Sequence, residues 1–205
     1  EVLIDDGAYL IRLAHEASPE ILNGITGATE QTTSGVRPLR TMERTGDLRF
    51  AVVAGNDART KSLFDNMHGT GQAVVLAIAD LLGESLAGVD VVVAGFGRVG
   101  SGIARHAAAF GARVTVSETD PVAALQAVFA GYRVEPLAQA ARHARVLISA
   151  TGVAGTVDAE HLRALPDGAA VAVGGGVRNE IALDEAALAG AQLGAEVTLV
   201  ERAGV

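Results

Sequence analysis

Residues 89–102 have the sequence Val-Asp-Val-Val-Val-Ala-Gly-Phe-Gly-Arg-Val-Gly-Ser-Gly. The nearly continuous apolar run at residues 89–94 is typical of a strand that is buried on both faces. It leads into a G-x-G-x-x-G pattern, after which apolar residues follow at helical spacing up to residue 110. A strand, a glycine-rich turn and a helix in this order predict the first βαβ unit of a dinucleotide-binding domain.

The three glycines of the pattern have distinct expected roles. Gly95 permits the tight turn after the strand, and Gly97 lets the backbone approach a pyrophosphate group. Gly100 lets the helix lie close to the strand, while the helix N-terminus favours the phosphate charge. Arg98 and Val99 occupy the same helix start and are counted with the cofactor-binding residues.

The cofactor is predicted from the residue that ends the next strand. Glu118 follows the apolar residues 113–117, where a carboxylate accepts hydrogen bonds from the ribose hydroxyls and repels a 2′-phosphate. NAD is therefore favoured over NADP, although Arg98 weakens this preference because it can meet a phosphate. The alternative is a structural glycine turn beside a solvated glutamate.

The pattern of strands and helices continues on both sides of this motif. Further strands are predicted at residues 113–117, 145–149 and 169–173, separated by helices, which is typical of a parallel doubly wound α/β sheet. We assign residues 81–205 to a Rossmann NAD-binding domain. Residues 1–80, which mix strand and helix patterns, are assigned to part of a second α/β domain that binds substrate.

Composition limits the classes of function. The 205 residues carry a formal net charge of -8, which argues against nucleic acid or an anionic membrane as a partner. No cysteine is present, and the five histidines lack metal-ligand spacing, so we expect no metal site. No apolar run approaches the roughly 18 residues of a membrane span. A cytoplasmic enzyme is expected, and because the chain starts at Glu1 instead of Met, sequence upstream is expected to be missing.

Several blocks in the same order resemble the S-adenosylhomocysteine hydrolase family over residues 3–182. The most specific block is T-K-x-x-F-D-N at residues 60–66. The blocks are D-D-G at 5–7, E-Q-T-T-S-G at 30–35, N-D-A-R-T-K-S-L-F-D-N at 56–66, G-F-G-R-V-G-S-G at 95–102, E-T-D-P at 118–121, A-L-Q at 124–126 and A-T-G at 150–152.

The resemblance implies an NAD-dependent reaction on an adenosine-type nucleoside. In this family the ribose 3′-hydroxyl is oxidised, which acidifies the C4′ proton. The thiol of a thioether at C5′ is then eliminated, water adds, and the hydride held by NAD returns to restore the alcohol. Such an enzyme needs a base near C3′ and C4′, groups that hold the hydroxyls, and an acid or base near C5′.

The resemblance also implies roles for individual residues. Lys61 and Asp65 match the pair at the 3′-hydroxyl, and Asp6 matches a carboxylate near C5′. The residues that match cofactor contacts are Thr32, Thr33 and Asn66 around the nicotinamide and its ribose, and Thr151 and Gly152 in a turn beside the cofactor. The alternatives are an exposed i,i+4 ion pair for Lys61 and Asp65, and a helix cap for Asp6.

Four positions depart from the family pattern. Gln31 replaces a substrate-side Glu, and Gly176 replaces an active-site His. Thr70 replaces a Cys near the nicotinamide, and Ala123 replaces an Asn near the adenosine ribose. We also expect this chain to lack the family's N-terminal substrate segment and its C-terminal tail, which extends into a neighbouring protomer.

These departures leave alternative functions open. The first is a diverged nucleoside dehydratase or epimerase that uses the same 3′-oxidation. The second is a net dehydrogenase of the 2-hydroxyacid type, for which no Arg, Glu and His set can be assembled. The third is a non-catalytic NAD-binding module. The resemblance further implies a homo-oligomer, either a tetramer or a dimer.

Overall fold

The computed structural model describes residues 1–182 of the chain. Two compact units divide between Gly69 and Thr70. This division precedes the expected boundary at residues 80/81, because helix α5 (Gly71–Leu82) packs against the helix Arg98–Ala109 of the second unit. The substrate-domain assignment of residues 1–80 stays a prediction. The part of the expected domain 81–205 that follows residue 182 lies outside the described residues.

The first unit contains a parallel sheet of three strands in the order β1-β2-β3. Asp5 pairs with Glu30, and Glu30 pairs with Ala54, so the carboxyl ends of the three strands lie at one edge. In chain order the elements are β1 (Val2–Asp5), α1 (Tyr9–Glu16), α2 (Pro19–Asn23), β2 (Gly27–Glu30), α3 (Thr33–Thr45), β3 (Ala51–Ala54), a 3-10 turn (Gly55–Asp57), α4 (Arg59–Ser62) and a π-helix (Asp65–Thr70).

Local sequence explains where the longest helix of this unit begins and ends. The Thr32 side chain accepts a hydrogen bond from the Gly35 backbone N–H, which caps the start of α3. Gly46, with φ 79°, ends the helix in the left-handed conformation that glycine tolerates. Buried Ile11 and Leu39 then bring α1 and α3 into one apolar core with the sheet residue Ala28.

The second unit contains a parallel sheet of five strands in the order β6-β5-β4-β7-β8. After α5 its elements are β4 (Asp90–Ala94), α6 (Arg98–Ala109), β5 (Arg113–Ser117), α7 (Pro121–Phe129), β6 (Arg133–Val134), α8 (Leu137–Ala140), a 3-10 turn (Ala141–His143), β7 (Val146–Ser149), α9 (Ala159–Ala164), β8 (Ala170–Val173) and a 3-10 turn (Arg178–Glu180). Among the described residues, no helix is both long and apolar enough to cross a membrane.

The strand order reverses at the centre of this sheet. From β4 the chain moves outward through β5 and β6, then returns to place β7 and β8 on the other side of β4. The carboxyl ends of β4 and β7 therefore flank a topological switch point, where doubly wound sheets bind their ligands. The predicted fold class, a doubly wound α/β sheet, is confirmed.

The strands predicted around the glycine motif are present in the structure because their apolar side chains form the buried core. Val91, Val93, Val116 and Ile148 are almost fully buried and pack with Ile103 of α6. Strands β2 and β6 were missed. Strand β2, with the sequence Gly-Ala-Thr-Glu, contains no run of large apolar residues, and β6 has only two residues, too few to show the alternating pattern of a strand.

Helices α5 and α6 approach closely through glycines. A Cβ atom on Gly71 would lie 2.7 Å from the Gly102 carbonyl carbon, so glycine at 71 permits this contact. We expect Gly71→Ala to lower the free energy of unfolding by about 1–3 kcal/mol, because the overpacking outweighs alanine's better helix propensity of about 1 kcal/mol. Chemical denaturation measures this, with exposed Gln72→Ala on the same helix as the control; equal stability of both variants would contradict the close packing.

An ion pair joins the amino ends of β4 and β5. Arg113 Nε and Nη2 donate to the two Asp90 carboxylate oxygens at 2.7 and 2.6 Å. The hydrogen bond from Arg113 is the main cause that lowers the pKa of Asp90 below its ordinary value. Because the folded pKa is lowered, the pair contributes stability above the unfolded pKa of about 4, and loses it as the pH falls through the folded pKa.

The lowered pKa of Asp90 predicts how the stability contributed by this ion pair depends on pH. We expect Asp90→Asn to be less stable than the wild type at about pH 6, and the difference to shrink as the pH falls well below about 4. Urea denaturation at both pH values tests this, with Asp167→Asn, another exposed aspartate, as the control. If the stability difference between Asp90→Asn and the wild type stays constant or grows on acidification, the ion pair is not the cause of that difference.

Candidate functional site

The glycine loop after β4 is held close to the loop after β7. Gly95 has φ 93°, and a Cβ atom there would lie 2.9 Å from the Ala150 carbonyl oxygen. A Cβ atom on Gly100 would lie only 2.0 Å from the Gly95 carbonyl oxygen. Gly95 therefore needs glycine for both conformation and space, and Gly100 needs it for space. Together they fix the start of α6 against the ends of the two central strands.

The environment of Gly97 is open, whereas Gly95 and Gly100 are closely surrounded by backbone atoms. It is the N-cap residue of α6, with φ -69° and ψ -163°, and no side chain caps this helix end. A Cβ atom on Gly97 would meet no atom of the described residues 1–182 within 4 Å. The next residues, exposed Arg98 and half-buried Val99, begin the helix. The first backbone N–H groups of a helix lack partners within the helix, so they are available to an anion in this open space.

Glu118 lies at the end of β5 and contacts the glycine loop. Its Oε2 accepts a hydrogen bond from the Phe96 N–H at 2.6 Å, and its Oε1 accepts from Thr119 and Asp120 N–H at 2.6 and 2.9 Å. An ionised carboxylate has about four acceptor positions. Three are used here, so Oε2 has capacity for a further donor such as a ribose hydroxyl.

The turn after β7 is organised by a carboxylate that sequence analysis did not assign. Glu180 is fully buried, and its Oε2 accepts hydrogen bonds from Ser149 Oγ at 2.6 Å, Thr151 N–H at 2.8 Å and Thr151 Oγ1 at 2.9 Å. Its Oε1 accepts from Gly152 N–H at 3.0 Å. The N–H groups of the predicted cofactor residues Thr151 and Gly152 are therefore directed at this carboxylate.

In the first unit, Lys61 is the centre of a polar network. Its Nζ lies 2.9 Å from Asn66 Oδ1, 3.4 Å from Asn56 Oδ1 and 3.3 Å from Asp65 Oδ2. Buried Asn56 also donates to Thr33 Oγ1 at 3.1 Å. Four residues selected from sequence, Thr33, Lys61, Asp65 and Asn66, thus lie in one connected network, with Asn56 as the member that was missed.

The Lys61–Asp65 contact is also the i,i+4 ion pair that the alternative interpretation predicts. The Asp65 side chain is 59% exposed, whereas that of Lys61 is 23% exposed. An isolated surface pair would leave the lysine free of other acceptors. Here two asparagine oxygens supplement the carboxylate, so the three ammonium protons have three acceptors. The turn that carries Asp65 and Asn66 is a π-helix, a form that is frequent at functional sites.

The remaining predicted residues of this unit surround a second buried carboxylate. Glu30 Oε1 accepts from Thr32 N–H and Oγ1, both at 2.7 Å, and from Gly7 N–H at 3.1 Å; Oε2 accepts from Ala8 N–H at 2.7 Å. Thr32 is thereby fixed next to the loop that carries Asp6. The exposed Asp6 carboxylate accepts from the Gln31 side-chain amide at 3.1 Å.

Little in the local sequence indicates that Glu30 and Glu180 are buried residues that position the functional loops. Glu30 belongs to a block of the family resemblance, but a single glutamate after a strand or in a glycine-rich loop is ordinarily a surface residue. The neighbouring glycines were the available signal. A Cβ atom would lie 2.3 Å from Glu30 Cδ if placed on Gly35, and 2.2 Å from Glu180 Oε1 if placed on Gly175.

The second unit fits a dinucleotide. Gly97 leaves open space at an uncapped helix start, Gly95 and Gly100 satisfy the steric needs of the turn, and Glu118 has acceptor capacity left. The switch point lies between these features and the turn after β7. The fold and the loop define a dinucleotide-binding domain of the Rossmann class.

Comparison with known families narrows this class. The family model for the S-adenosyl-L-homocysteine hydrolase NAD binding domain matches residues 66–199. The chain belongs to this family, which confirms the predicted resemblance, and NAD is the family's cofactor, as the sequence predicted.

Individual relatives agree with this assignment. The chain is 45% identical over 181 residues to S-inosyl-L-homocysteine hydrolase of Methanothermobacter thermautotrophicus, which covers 88% of the chain and 43% of the relative. It is also 45% identical over 181 residues to adenosylhomocysteinase of Archaeoglobus fulgidus, covering 88% and 45%. The chain thus spans less than half the length of the curated relatives it matches.

Solved structures support the fold alone. One dipicolinate synthase chain, from Bacillus halodurans, aligns with a TM-score of 0.56 at 22% identity, covering 77% of this chain and 53% of that one. The corresponding dipicolinate synthase chain from Bacillus subtilis aligns with a TM-score of 0.57 at 16% identity, covering 76% and 52%.

The contrast between two glycines gives a prediction for the cofactor loop. We expect Gly97→Ala to weaken NAD binding about tenfold or more, while the free energy of unfolding changes by less than about 0.5 kcal/mol, because the added methyl enters open space used by the ligand. Gly100→Ala should instead destabilise the fold by about 1–3 kcal/mol, since its methyl meets the backbone. Calorimetric NAD titration and urea denaturation of both variants measure this; unchanged NAD affinity in Gly97→Ala would place the pyrophosphate elsewhere.

Proposed function

We propose that the chain carries the NAD-binding domain and catalytic residues of an NAD-dependent enzyme of the S-adenosylhomocysteine hydrolase type. Its substrate is a nucleoside of the adenosine type that carries a thioether at C5′. The reaction passes through transient oxidation at C3′, then elimination and addition at C4′ and C5′. When bound, NAD supplies reversible oxidation of the secondary alcohol.

The observation that carries this proposal is the network around Lys61. Its ammonium is surrounded by Asn66, Asn56 and Asp65 oxygens, and the contact with Asn56, at 3.4 Å, is the longest. A ribose hydroxyl can replace this weakest partner while the other two hold the side chain in place. Lys61 takes the proton of the 3′-hydroxyl when its amine is neutral and returns the proton when it is the ammonium, whose charge Asp65 balances.

Asp6 is assigned to the chemistry at C5′. Its carboxylate is exposed just after β1, and the Gln31 amide donates to it. An exposed carboxylate with one oriented hydrogen bond retains acceptor positions for a proton at the leaving group or at the incoming water. Gln31 acts by orienting Asp6, since an amide cannot itself take up the proton.

The cofactor is held by the chain's own backbone and by one carboxylate. The first N–H groups of α6, after Gly97, bind the pyrophosphate, and Arg98 and Val99 lie in this first turn. Glu118 accepts from the adenosine ribose, while Thr151 and Gly152 line the cofactor on the β7 side. Thr32, Thr33 and Asn66 are assigned to the nicotinamide and its ribose. A homo-oligomer and a cytoplasmic location stay predictions.

The deciding experiment is turnover by the full-length protein. It is incubated with NAD and, in turn, S-adenosylhomocysteine, S-inosylhomocysteine, adenosine or inosine, while absorbance at about 340 nm and product masses are followed. We expect transient enzyme-bound reduced cofactor, no net reduction, and free homocysteine from one of the two thioethers.

Each of the other possible outcomes of this turnover experiment would support one of the alternative functions. A product that differs by water or by configuration, without homocysteine, would replace hydrolysis by dehydration or epimerisation. Stoichiometric release of reduced cofactor would identify a net dehydrogenase. NAD binding with neither reduction nor product across these substrates would leave a non-catalytic cofactor-binding module.

Lys61 gives the corresponding mutational prediction. We expect Lys61→Met to lower kcat/KM by roughly 10²–10⁴-fold, the range typical of positioned acid–base groups. Arg59→Met, which removes an exposed cation from the same short helix, should leave kcat/KM within about twofold. Steady-state kinetics and melting temperatures of both variants are compared, and equal kinetics in the two would remove Lys61 from the mechanism.

A further inference from the structure

Glu180 is the most completely engaged buried charge in the described part of the second unit. It ends the 3-10 turn Arg178–Glu180, which follows β8 and the glycines at residues 174–176. Its carboxylate is fully buried and accepts four hydrogen bonds. Burying a carboxylate costs free energy unless hydrogen-bond donors surround it. The four donors therefore offset the cost of burying the Glu180 carboxylate.

All four donors come from the end of β7 and the turn that follows. They are the Ser149 and Thr151 hydroxyls and the backbone N–H groups of Thr151 and Gly152. The backbone reinforces the connection, because Gly155 N–H donates to the Asn179 carbonyl at 2.7 Å and Val157 N–H to the Glu180 carbonyl at 2.9 Å. The turn after β7 is therefore tied to the segment that carries Glu180.

The position of this turn determines which half of the cofactor it meets. Glu118 marks the adenosine side, at the end of β5, on one side of β4. Strand β7 lies on the other side of β4. A dinucleotide spans the switch point between these sides, so the turn at Thr151 and Gly152 faces the nicotinamide half.

We propose that Glu180 is a positioning residue for the nicotinamide half of NAD. Glu180 holds the Thr151–Gly152 turn in place against the Gly95 loop, whereas Glu118 binds the adenosine half. The proposal rests on the NAD binding of the proposed function and not on nucleoside turnover, so it is tested by binding alone.

The chemistry of the donors explains why a carboxylate is needed. Each neighbouring group presents a hydrogen to Glu180, and a carboxylate offers only acceptors. A glutamine at 180 can keep its oxygen at the Oε2 position, where three donors converge. Its NH₂ group then faces the Gly152 N–H, and donor meets donor, so the Gly152 end of the turn is released.

Gly175 provides an independent way to move the same carboxylate. A Cβ atom on Gly175 would lie 2.2 Å from Glu180 Oε1 and 3.3 Å from Glu180 Cδ. The backbone of Gly175 does not have a positive φ, so alanine is tolerated by the conformation. Gly175→Ala therefore displaces the Glu180 side chain without changing any group on the turn itself.

The test compares two ligands that differ in the nicotinamide half. The full chain is titrated calorimetrically with NAD and with ADP, which contains the adenosine half and both phosphates. We expect Glu180→Gln to weaken NAD binding about tenfold or more and to leave ADP binding within about twofold. Glu160→Gln, an exposed glutamate on α9, is the matched control and should change neither affinity.

The second variant and the ADP titration separate positioning from folding. We expect Gly175→Ala to reproduce the loss of NAD affinity with ADP binding retained, which shows that the adenosine half is intact. Equal weakening of NAD and ADP in both variants, or unchanged NAD affinity in both, would overturn the proposal. Wild-type protein that binds NAD but turns over no nucleoside would refute the proposed reaction and leave this assignment standing.

Discussion

The close approach of the β4 and β7 loops is the constraint on which the second unit depends. Gly95, Gly100 and Ala150 meet where the two central strands end, with backbone atoms so near that no side chain fits between them. Because α6 starts from this contact, its N-terminus and the open space at Gly97 are fixed relative to the sheet. The steric demand that builds the fold thus also creates the space for a pyrophosphate.

The two units use the same device at their strand ends. In each, a fully buried glutamate collects backbone N–H groups and a threonine hydroxyl from a loop, Glu30 with Thr32 and Glu180 with Thr151. In each, a glycine leaves the space that the glutamate occupies. Loops that carry function need defined positions without regular secondary structure, and a buried acceptor with several donors provides this.

The sequence predicted the features that depend on local pattern. The apolar strand, the three glycines and Glu118 lie within one continuous stretch of chain, so spacing alone indicated the βαβ unit. Asn56, Glu30 and Glu180 were missed because their importance comes from partners far along the chain, as between Glu180 and Ser149. Short strands such as β6 were missed because only pairing with a longer neighbour defines them.

The buried glutamates also affect how the loops exchange with solvent. Amides in loops ordinarily exchange their hydrogens rapidly, since nothing holds them away from water. The N–H groups of Ala8, Thr32, Thr151 and Gly152 are instead bound to buried carboxylates. Deuterium uptake at these positions then reports the opening of each carboxylate's surroundings, and gives each unit a probe of its own local stability.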